Sequence, residues 1–289
     1  MTVFHHILAI GHKPLRCGNA IGRRVGVKPS GSLRVLIYHD IPLGEQEKLA
    51  VQLRWLAREW RFVSADQYAA MVEGDEPIQG RNLLLTFDDG FISNRWVADA
   101  VLSPLGIRAL FFVATDFIDF EDSDASRGFV TQRLWPGVGL ANVPAHWRNM
   151  NWNDLRALLE DGHTIGAHTR SHARLSELKT EAELVAEIVA SGDRLESELG
   201  VRIQHFAFPF GNLASFSPTA LSVARRRFSF IHSGLRGDNV KALSPWLVRR
   251  DAISPRDTLN LVGALLEGGA DFLYARDVAK LDVWRDMYP

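Results

Sequence analysis

The sequence is short of several features that mark particular classes of protein. It has a single cysteine, Cys17, in 289 residues, so no intramolecular disulfide can form. Its 33 Lys and Arg nearly balance 34 Asp and Glu, and no basic run indicates nucleic-acid binding. No apolar stretch reaches the roughly 18 residues that predict a transmembrane helix. Repeats and low-complexity tracts are also missing, and what remains is typical of a globular α/β enzyme with one large core.

The N-terminal segment bears on where the protein acts. A secretory signal needs a basic start, an apolar core of about seven or more residues and a small-residue cleavage site. The first ten residues offer only short apolar stretches interrupted by His5 and His6. We therefore predict a cytoplasmic location, and peripheral contact with the inner membrane face is left open. We interpret residues 1–32 as an irregular N-terminal extension ahead of a domain spanning 33–289.

Two adjacent carboxylates form the most informative segment. The run Leu83–Leu85 is typical of a fully buried strand, and Asp88 and Asp89 follow where it ends. In parallel α/β sheets this end of a strand faces the ligand. Two like charges side by side repel unless their roles differ, as when one binds a metal ion and the other acts as a general base. A turn without chemical function is the alternative, and this segment alone does not decide between them.

Two histidines four residues apart supply the partners that such a site needs. His168 and His172 follow a short apolar strand about eighty residues after the carboxylates. A spacing of four brings two imidazoles together on one helical turn or one tight loop. One Asp and two His suit zinc or a similar divalent ion and leave coordination positions open, which a hydrolase requires.

These segments resemble the polysaccharide deacetylases with a NodB-homology domain, carbohydrate esterase family 4. Residues 86–90 and 168–172 are similar to the first two motifs of that family. Further stretches are similar to other parts of the family pattern: residues 35–40, 110–113, 151–155 and 206–211. The resemblance covers most of the chain and implies an α/β fold, a deformed (β/α)7 barrel.

The resemblance implies a role for each matched position. It assigns Asp89, His168 and His172 to a divalent metal and Asp88 to the base that deprotonates the attacking water. Zn²⁺ is the expected ion, and Co²⁺, Ni²⁺ and Mn²⁺ are alternatives. Such an ion lowers the pKa of water and polarises a carbonyl group.

Other residues are expected around the reacting group. The backbone N–H of Phe210, in the turn that Pro209 begins, would help hold the oxyanion of the tetrahedral intermediate. His39 ends an early strand, so barrel geometry places it on the same rim as the carboxylates. A long irregular stretch over residues 116–150 is interpreted as a loop insertion. Trp135 in this stretch, together with Trp147, would stack on sugar rings, or both would simply pack the insertion down.

The chain departs from the family pattern at two points. Many members carry an arginine in the third motif that orients the catalytic aspartate, and residues 204–209 have none. Arg249 or Arg250 is the predicted substitute, and strand alternation alone does not choose between them. The expected C-terminal histidine that serves as general acid is also missing. His232 is the candidate for that role, although burial on a strand is the competing interpretation.

We therefore predict a metal-dependent hydrolase that removes N-acetyl groups from acetamido sugars of a glycan, oligosaccharide or glycan precursor. Deformylation, O-deacetylation and hydrolysis of a cyclic amide are alternatives on the same metal site. A degraded relative that only binds glycans is a further alternative. The predicted partner is a carbohydrate, with no nucleic acid and no transmembrane segment.

Overall fold

The computed structural model describes residues 3–287, apart from the side chains of residues 3, 241 and 242. Eight strands form one parallel sheet: β1 (Ser32–Tyr38), β2 (Arg61–Val63), β3 (Arg81–Phe87), β4 (Leu110–Val113), β5 (Thr164–Ala167), β6 (His205–Ala207), β7 (Phe230–His232) and β8 (Asp251–Ala252). Seven of them follow the order β7-β6-β5-β4-β3-β1-β8, while β2 pairs with the first half of β3.

The sheet curls into a ring through its last segment. Val248 forms a parallel bridge with His232 of β7, and β8 then pairs with β1 a few residues later. The predicted deformed (β/α)7 barrel is therefore confirmed, with β2 as an additional short strand.

Helices cover the outside of the ring. The α-helices are α1 (Val3–Arg24), α2 (Gln46–Leu56), α3 (Ala65–Glu73), α4 (Ile92–Val97), α5 (Ser103–Leu105), α6 (Thr115–Ile118), α7 (Ser123–Phe129), α8 (Trp152–Glu160), α9 (Glu181–Leu199), α10 (Pro218–Arg225), α11 (Leu259–Leu266) and α12 (Ala275–Met287). Side-chain caps begin several of them, and capping boxes at Ser64, Asn151 and Thr180 open α3, α8 and α9.

Strand alternation decides which side chains reach the site. In β3, Leu83, Leu85 and Phe87 pack outward against helices, while Leu84 packs inward. Asp88 continues the inward row at the strand's carboxyl end. The ring interior is tight, since a Cβ at Gly166 would lie 2.6 Å from the Phe112 ring. The barrel is thus a packed core with its polar groups gathered at one end.

The predicted irregular extension at residues 1–32 is wrong for most of its length. Residues 3–24 form α1, which packs along α11 through His12 and against the turn after α11 through Leu8 and Leu15. A Cβ at Gly263 would collide with the His12 ring, so a glycine on α11 lets the two helices approach closely. Tertiary packing of one face stabilises a helix whose glycines and internal proline gave little local signal.

The stretch over residues 116–150 is not wholly irregular either. It contains most of α6, all of α7 and a π-helical turn, Val130–Leu134. A small apolar cluster of its own lies beneath it, formed by Phe91, Ala114, Phe117, Phe129, Val130, Leu134 and Val143. Among residues 3–287, no helix combines the length and apolar character needed to cross a bilayer.

Candidate active site

A cleft of about 540 Å³ opens at the carboxyl ends of the strands. Its floor contains both adjacent carboxylates and both histidines singled out from the sequence. Residues from the helical insertion, including Trp135, form one wall. The turn after β6, with Phe210, contributes to the lining as well. Segments far apart in sequence therefore meet at the end of the barrel where ligands bind in such folds.

Asp89, His168 and His172 converge at the floor. Oδ1 of Asp89 lies 3.5 Å from Nε2 of His168 and 3.4 Å from Nε2 of His172. All three ligand atoms lie within 4.8 Å of one another, and all three residues are buried. Each comes from a strand end, Asp89 from the end of β3 and the histidines from the segment after β5.

Backbone strain is concentrated at this site. In the described part of the chain, the non-glycine residues with positive φ are Asp89 (81°), Thr169 (65°), His172 (55°) and Phe210 (61°). Two of these are members of the triad, one adjoins His168 and one lines the cleft. Each such conformation costs on the order of 1–3 kcal/mol and persists where surrounding packing imposes it. These strained conformations reduce the stability of the fold, and they orient the side chains towards the cleft.

Backbone carbonyls fix the orientation of both imidazoles. Nδ1 of His168 lies 2.8 Å from the carbonyl oxygen of Ala207, and Nδ1 of His172 lies 3.0 Å from that of Arg133. A carbonyl oxygen only accepts, so each Nδ1 carries the proton and donates. Each Nε2 therefore directs a lone pair towards Asp89, as in a ring prepared to bind a metal ion.

The charge state of Asp89 suits the same purpose. Burial by itself raises the pKa of this carboxyl, but the neighbouring imidazoles of His168, His172 and His39 outweigh it and hold the pKa well below its ordinary value. An ionised carboxylate and two neutral imidazoles form a donor set that fits a divalent ion such as zinc. The residues present therefore fit the expected metal, and the donors leave its identity open.

The second carboxylate is held by Arg250. Its NH1 donates to Oδ1 of Asp88 at 2.7 Å and its NH2 donates to Oδ2 at 2.9 Å. Arg250 is itself fixed, because its Nε donates to the carbonyl oxygen of Ser233 at 2.8 Å. Burial raises the pKa of Asp88, but the ion pair with Arg250, helped by His168 and His39, brings it below its ordinary value. Asp88 is therefore ionised and oriented beside the triad.

This pairing settles which arginine supports Asp88. Arg249 points away from the cleft, with its NH1 3.5 Å from the carbonyl oxygen of Asp238, and lines a cavity at the opposite ends of the strands. Its assignment as a supporting residue is wrong, whereas that of Arg250 holds. The alternation of neighbouring residues along the chain accounts for the difference.

The assignment of His232 as general acid is also wrong. His232 lies in the barrel interior with no exposed surface, and it does not line the cleft. Its Nε2 lies 3.1 Å from Nδ1 of His205, and its ring packs edge-on against Phe112. Burial, with the charges of His205 and Arg250, lowers the pKa of His232 well below its ordinary value. The ring is therefore neutral and closed off from any substrate.

The remaining predicted residues divide between the cleft and the core. His39, Trp135 and Phe210 line the cleft, and Phe210 packs edge-on against His172 with ring centroids 4.8 Å apart. The backbone N–H of Phe210 donates no hydrogen bond to any described residue. Pro209 is buried and does not line the cleft, so its part is limited to the turn that carries Phe210.

Asp40 is a lining residue that the sequence reasoning missed, although the strand-end rule applies to it. It lies two residues beyond the end of β1, as Asp89 lies two residues beyond the end of β3. Its Oδ2 accepts hydrogen bonds from Trp147 Nε1 at 2.7 Å and His146 Nε2 at 3.0 Å, and its Oδ1 accepts one from Ser93 Oγ at 2.7 Å. His146 and Trp147 line the cleft too, so this carboxylate attaches the helical insertion to the barrel rim.

The fold and site together define an α/β-barrel hydrolase whose cleft brings the ionised Asp88 beside a triad that could hold a metal ion. The chain belongs to the polysaccharide deacetylase family, because the family model described as polysaccharide deacetylase matches residues 75–226, more than half of its length. It is accordingly a hydrolase of amide bonds in acetylated sugars. No curated protein matches the chain by sequence comparison.

Several solved structures share the fold. IcaB from Ammonifex degensii has a TM-score of 0.65 and 23% identity, covering 82% of this chain and 97% of that one. The deacetylase PplD from Streptococcus pyogenes, solved with acetate, has a TM-score of 0.64 and 18% identity over 81% and 98% of the two chains. A de-N-acetylase from Aggregatibacter actinomycetemcomitans has a TM-score of 0.63 and 18% identity over 81% and 99%.

Proposed function

We propose that this protein is a metal-dependent N-deacetylase acting on acetamido sugars of a glycan, oligosaccharide or glycan precursor. The observation that carries the proposal is the Asp88–Arg250 ion pair beside the triad of Asp89, His168 and His172. A glycan-binding relative with a degraded site would have no use for a buried, ionised and oriented base at this position.

Asp89, His168 and His172 would hold a divalent ion, which supplies Lewis-acid polarisation of the acetyl carbonyl and activation of water when bound. Asp88 then accepts the proton of the attacking water. Arg250 keeps both Asp88 oxygens in place and favours the ionised form, so the base is ready at neutral pH. Zinc is the ion that we propose, on the basis of the Asp-His-His donor set.

The leaving amine needs a proton, and we assign its delivery to His39. This residue lines the cleft, and its charge contributes to the electrostatics of the neighbouring carboxylates. An imidazole can donate a proton in one step and recover it afterwards, which suits a general acid. His39 takes the role that the sequence had offered to His232.

The turn after β6 supports the developing oxyanion. The backbone N–H of Phe210 has no partner among the described residues, and the strained φ of 61° fixes the orientation of this peptide. We assign it to hydrogen-bond the oxyanion, since a preorganised donor in a dry site stabilises the transition state strongly.

The aromatic wall favours a sugar substrate. Trp135 and Trp147 stack with ring centroids 4.5 Å apart, and both line the cleft. Flat apolar faces beside the hydrogen-bonding carboxylate of Asp40 suit the alternating apolar and polar faces of a sugar ring. Removal of an N-acetyl group is the proposed reaction, and the de-N-acetylase among the similar structures supports it. A cytoplasmic location stays a prediction.

The experiment is to measure acetate release by metal-reconstituted protein from N-acetylglucosamine oligomers, sugar nucleotides and lipid-linked acetamido sugars. An Asp89→Ala variant is the control. Acetate that appears only with the wild-type protein supports the proposal and identifies the substrate class. Formate release, O-acetyl removal without amide cleavage, or stoichiometric metal with no product from any substrate would overturn it.

A further inference from the structure

Helix α1 has two stripes of side chains on opposite faces. Leu8, His12, Leu15 and Asn19 are spaced by four, three and four residues and face the protein body. This face is fixed, since Leu8 and Leu15 adjoin Gly269 and Asn19 donates to the Glu267 side chain at 2.6 Å. The inner stripe explains why α1 packs on α11.

The outer stripe is apolar and faces solvent. It comprises Ile7, Ile10, Pro14, Cys17 and Ile21, whose spacings of three and four residues keep them on one helix face. Ile10 is 82% exposed, Ile7 63% and Ile21 62%. An ordered apolar row of this kind is more than the scattered exposed side chains found on any protein surface.

The charge around the outer stripe is of one sign. The first 39 residues contain six Lys and Arg and no Asp or Glu. Lys13 lies three residues from Ile10, and Arg24 lies three residues from Ile21, so both cations flank the stripe on the helix surface. Neither forms an ion pair with any described residue. The outer face of α1 therefore combines an apolar row with free positive charge.

We propose that the outer face of α1 binds the surface of a bilayer that contains anionic lipids, lying in the plane of the interface. An amphipathic helix with Lys and Arg beside its apolar face has the composition of an interfacial helix. The cations then meet lipid phosphates while the isoleucines enter the headgroup boundary. This proposal does not depend on the proposed reaction, since α1 contributes no residue to the cleft.

A second copy of the chain fits this face less well. Two outer stripes packed together would bring Lys13 and Arg24 of both copies to one interface, and α1 has no carboxylate to neutralise them. Like charges across an interface oppose association. A bilayer of anionic lipid offers apolar contact and opposite charge at once. Exposed Phe272 lies in the segment that follows α11 and lines a cavity with Asn19 and Arg23, so it does not belong to the outer stripe.

The test is vesicle flotation of the full-length protein with phosphatidylcholine vesicles and with vesicles that also contain phosphatidylglycerol. We expect binding to the anionic vesicles only, weakened by salt. Ile10→Asp/Ile21→Asp should weaken binding at least about tenfold, because apolar burial is lost and negative charge is added. Lys13→Gln/Arg24→Gln should weaken it by about 25-fold, since each cation near such a surface contributes about fivefold.

Val185→Asp/Val201→Asp is the matched control, because both valines are exposed and lie outside α1. It should bind as wild type. A second readout uses Cys17, the only cysteine in the chain. An environment-sensitive dye on its thiol should shift to shorter wavelength with anionic vesicles. Unchanged binding by both α1 variants would overturn the proposal, and so would a dimer in sedimentation that Ile10→Asp/Ile21→Asp dissociates without any vesicle binding.

Discussion

Arg250 holds Asp88 through both carboxylate oxygens, at 2.7 and 2.9 Å, from a position 162 residues further along the chain. A guanidinium forms this two-pronged contact and an ammonium does not. The Arg250→Lys substitution should therefore keep the positive charge but lose the two-pronged contact that orients the Asp88 carboxylate. We expect it to lower kcat by roughly 10- to 100-fold. The acid limb of the pH–rate profile should also move to higher pH. Burial raises the pKa of Asp88 while Arg250 lowers it, so a weaker ion pair lets the pKa rise.

The matched control is Arg249→Lys, on the neighbouring residue that lines another cavity. It should leave both kcat and the pH profile unchanged. Equal effects from the two substitutions would show that Arg250 acts through stability and not through Asp88.

Substitution of the proposed base and substitution of a proposed metal ligand should have different effects on the amount of bound metal. Asp88→Asn keeps the shape of the base and removes its proton affinity, so we expect bound metal as in wild type and kcat lower by about 10²- to 10⁴-fold. His172→Ala removes one of three ligands and should lose both metal and turnover. Metal analysis after dialysis, together with acetate release, checks both. Loss of metal from Asp88→Asn would place that carboxylate among the ligands.

His39 should matter only when the leaving group needs a proton. With an acetamido sugar, His39→Gln should lower kcat by roughly 10²-fold. With 4-nitrophenyl acetate, whose phenolate leaves without protonation, the same variant should stay near wild type. His146→Gln also alters a histidine that lines the cleft and should lower the two rates in the same ratio. An equal loss on both substrates in His39→Gln would exclude it as the acid.

The stacked tryptophans should govern substrate affinity more than chemistry. Trp135→Ala is expected to raise KM for an oligosaccharide by about tenfold, since one aromatic face is worth roughly 1–1.5 kcal/mol of stacking. The value of kcat should change less than KM, because no ring or polar contact joins Trp135 to Asp89, His168 or His172 among the described residues and its ring lies 6.4 Å from that of His39. Steady-state kinetics on a folded variant, verified by circular dichroism, checks this. An unchanged KM would assign both tryptophans to packing of the insertion.

Acid should destabilise the fold through the barrel interior. Burial lowers the pKa of His205 to about 3, whereas a histidine in an unfolded chain titrates near 6.5. Its stabilisation is therefore complete above about pH 6.5 and is lost as the pH falls towards 3, by about 1.4 kcal/mol per pH unit. Urea unfolding at several pH values gives the free energy of unfolding as a function of pH. In His205→Gln this free energy should fall less steeply with decreasing pH than in the wild type. Identical slopes in the two proteins would contradict this assignment.

The sequence alone located the floor of the cleft, because position along a strand is a local property. Asp88, Asp89, His168 and His172 all follow short apolar runs, and parallel strands bring their carboxyl ends to one rim. For the arginine that supports Asp88, the sequence left two candidates, Arg249 and Arg250. The choice between them depends on how the last segment lies between β7 and β1, and no local sequence pattern determines that register.

Two features could not be predicted from the sequence, because they depend on contacts with residues that are distant in the chain. The strand-end rule marks Asp40, but its role in holding the insertion depends on His146 and Trp147, which lie more than a hundred residues away. Helix α1 can pack closely on α11 because Gly263 leaves room for His12. Such contacts between remote segments determine much of a cleft wall and of an outer layer, and a pattern read along the chain does not contain them.

Asp40 also links two parts of the molecule that have different tasks. The reacting groups lie at the strand ends, while the wall that a sugar would meet is joined to Asp40 by an indole and an imidazole. The same insertion orients His172 through the carbonyl oxygen of Arg133. A different insertion would therefore have to offer donors to Asp40 and an acceptor to His172. Under those two conditions, the surface presented to a substrate could differ while the triad kept its geometry.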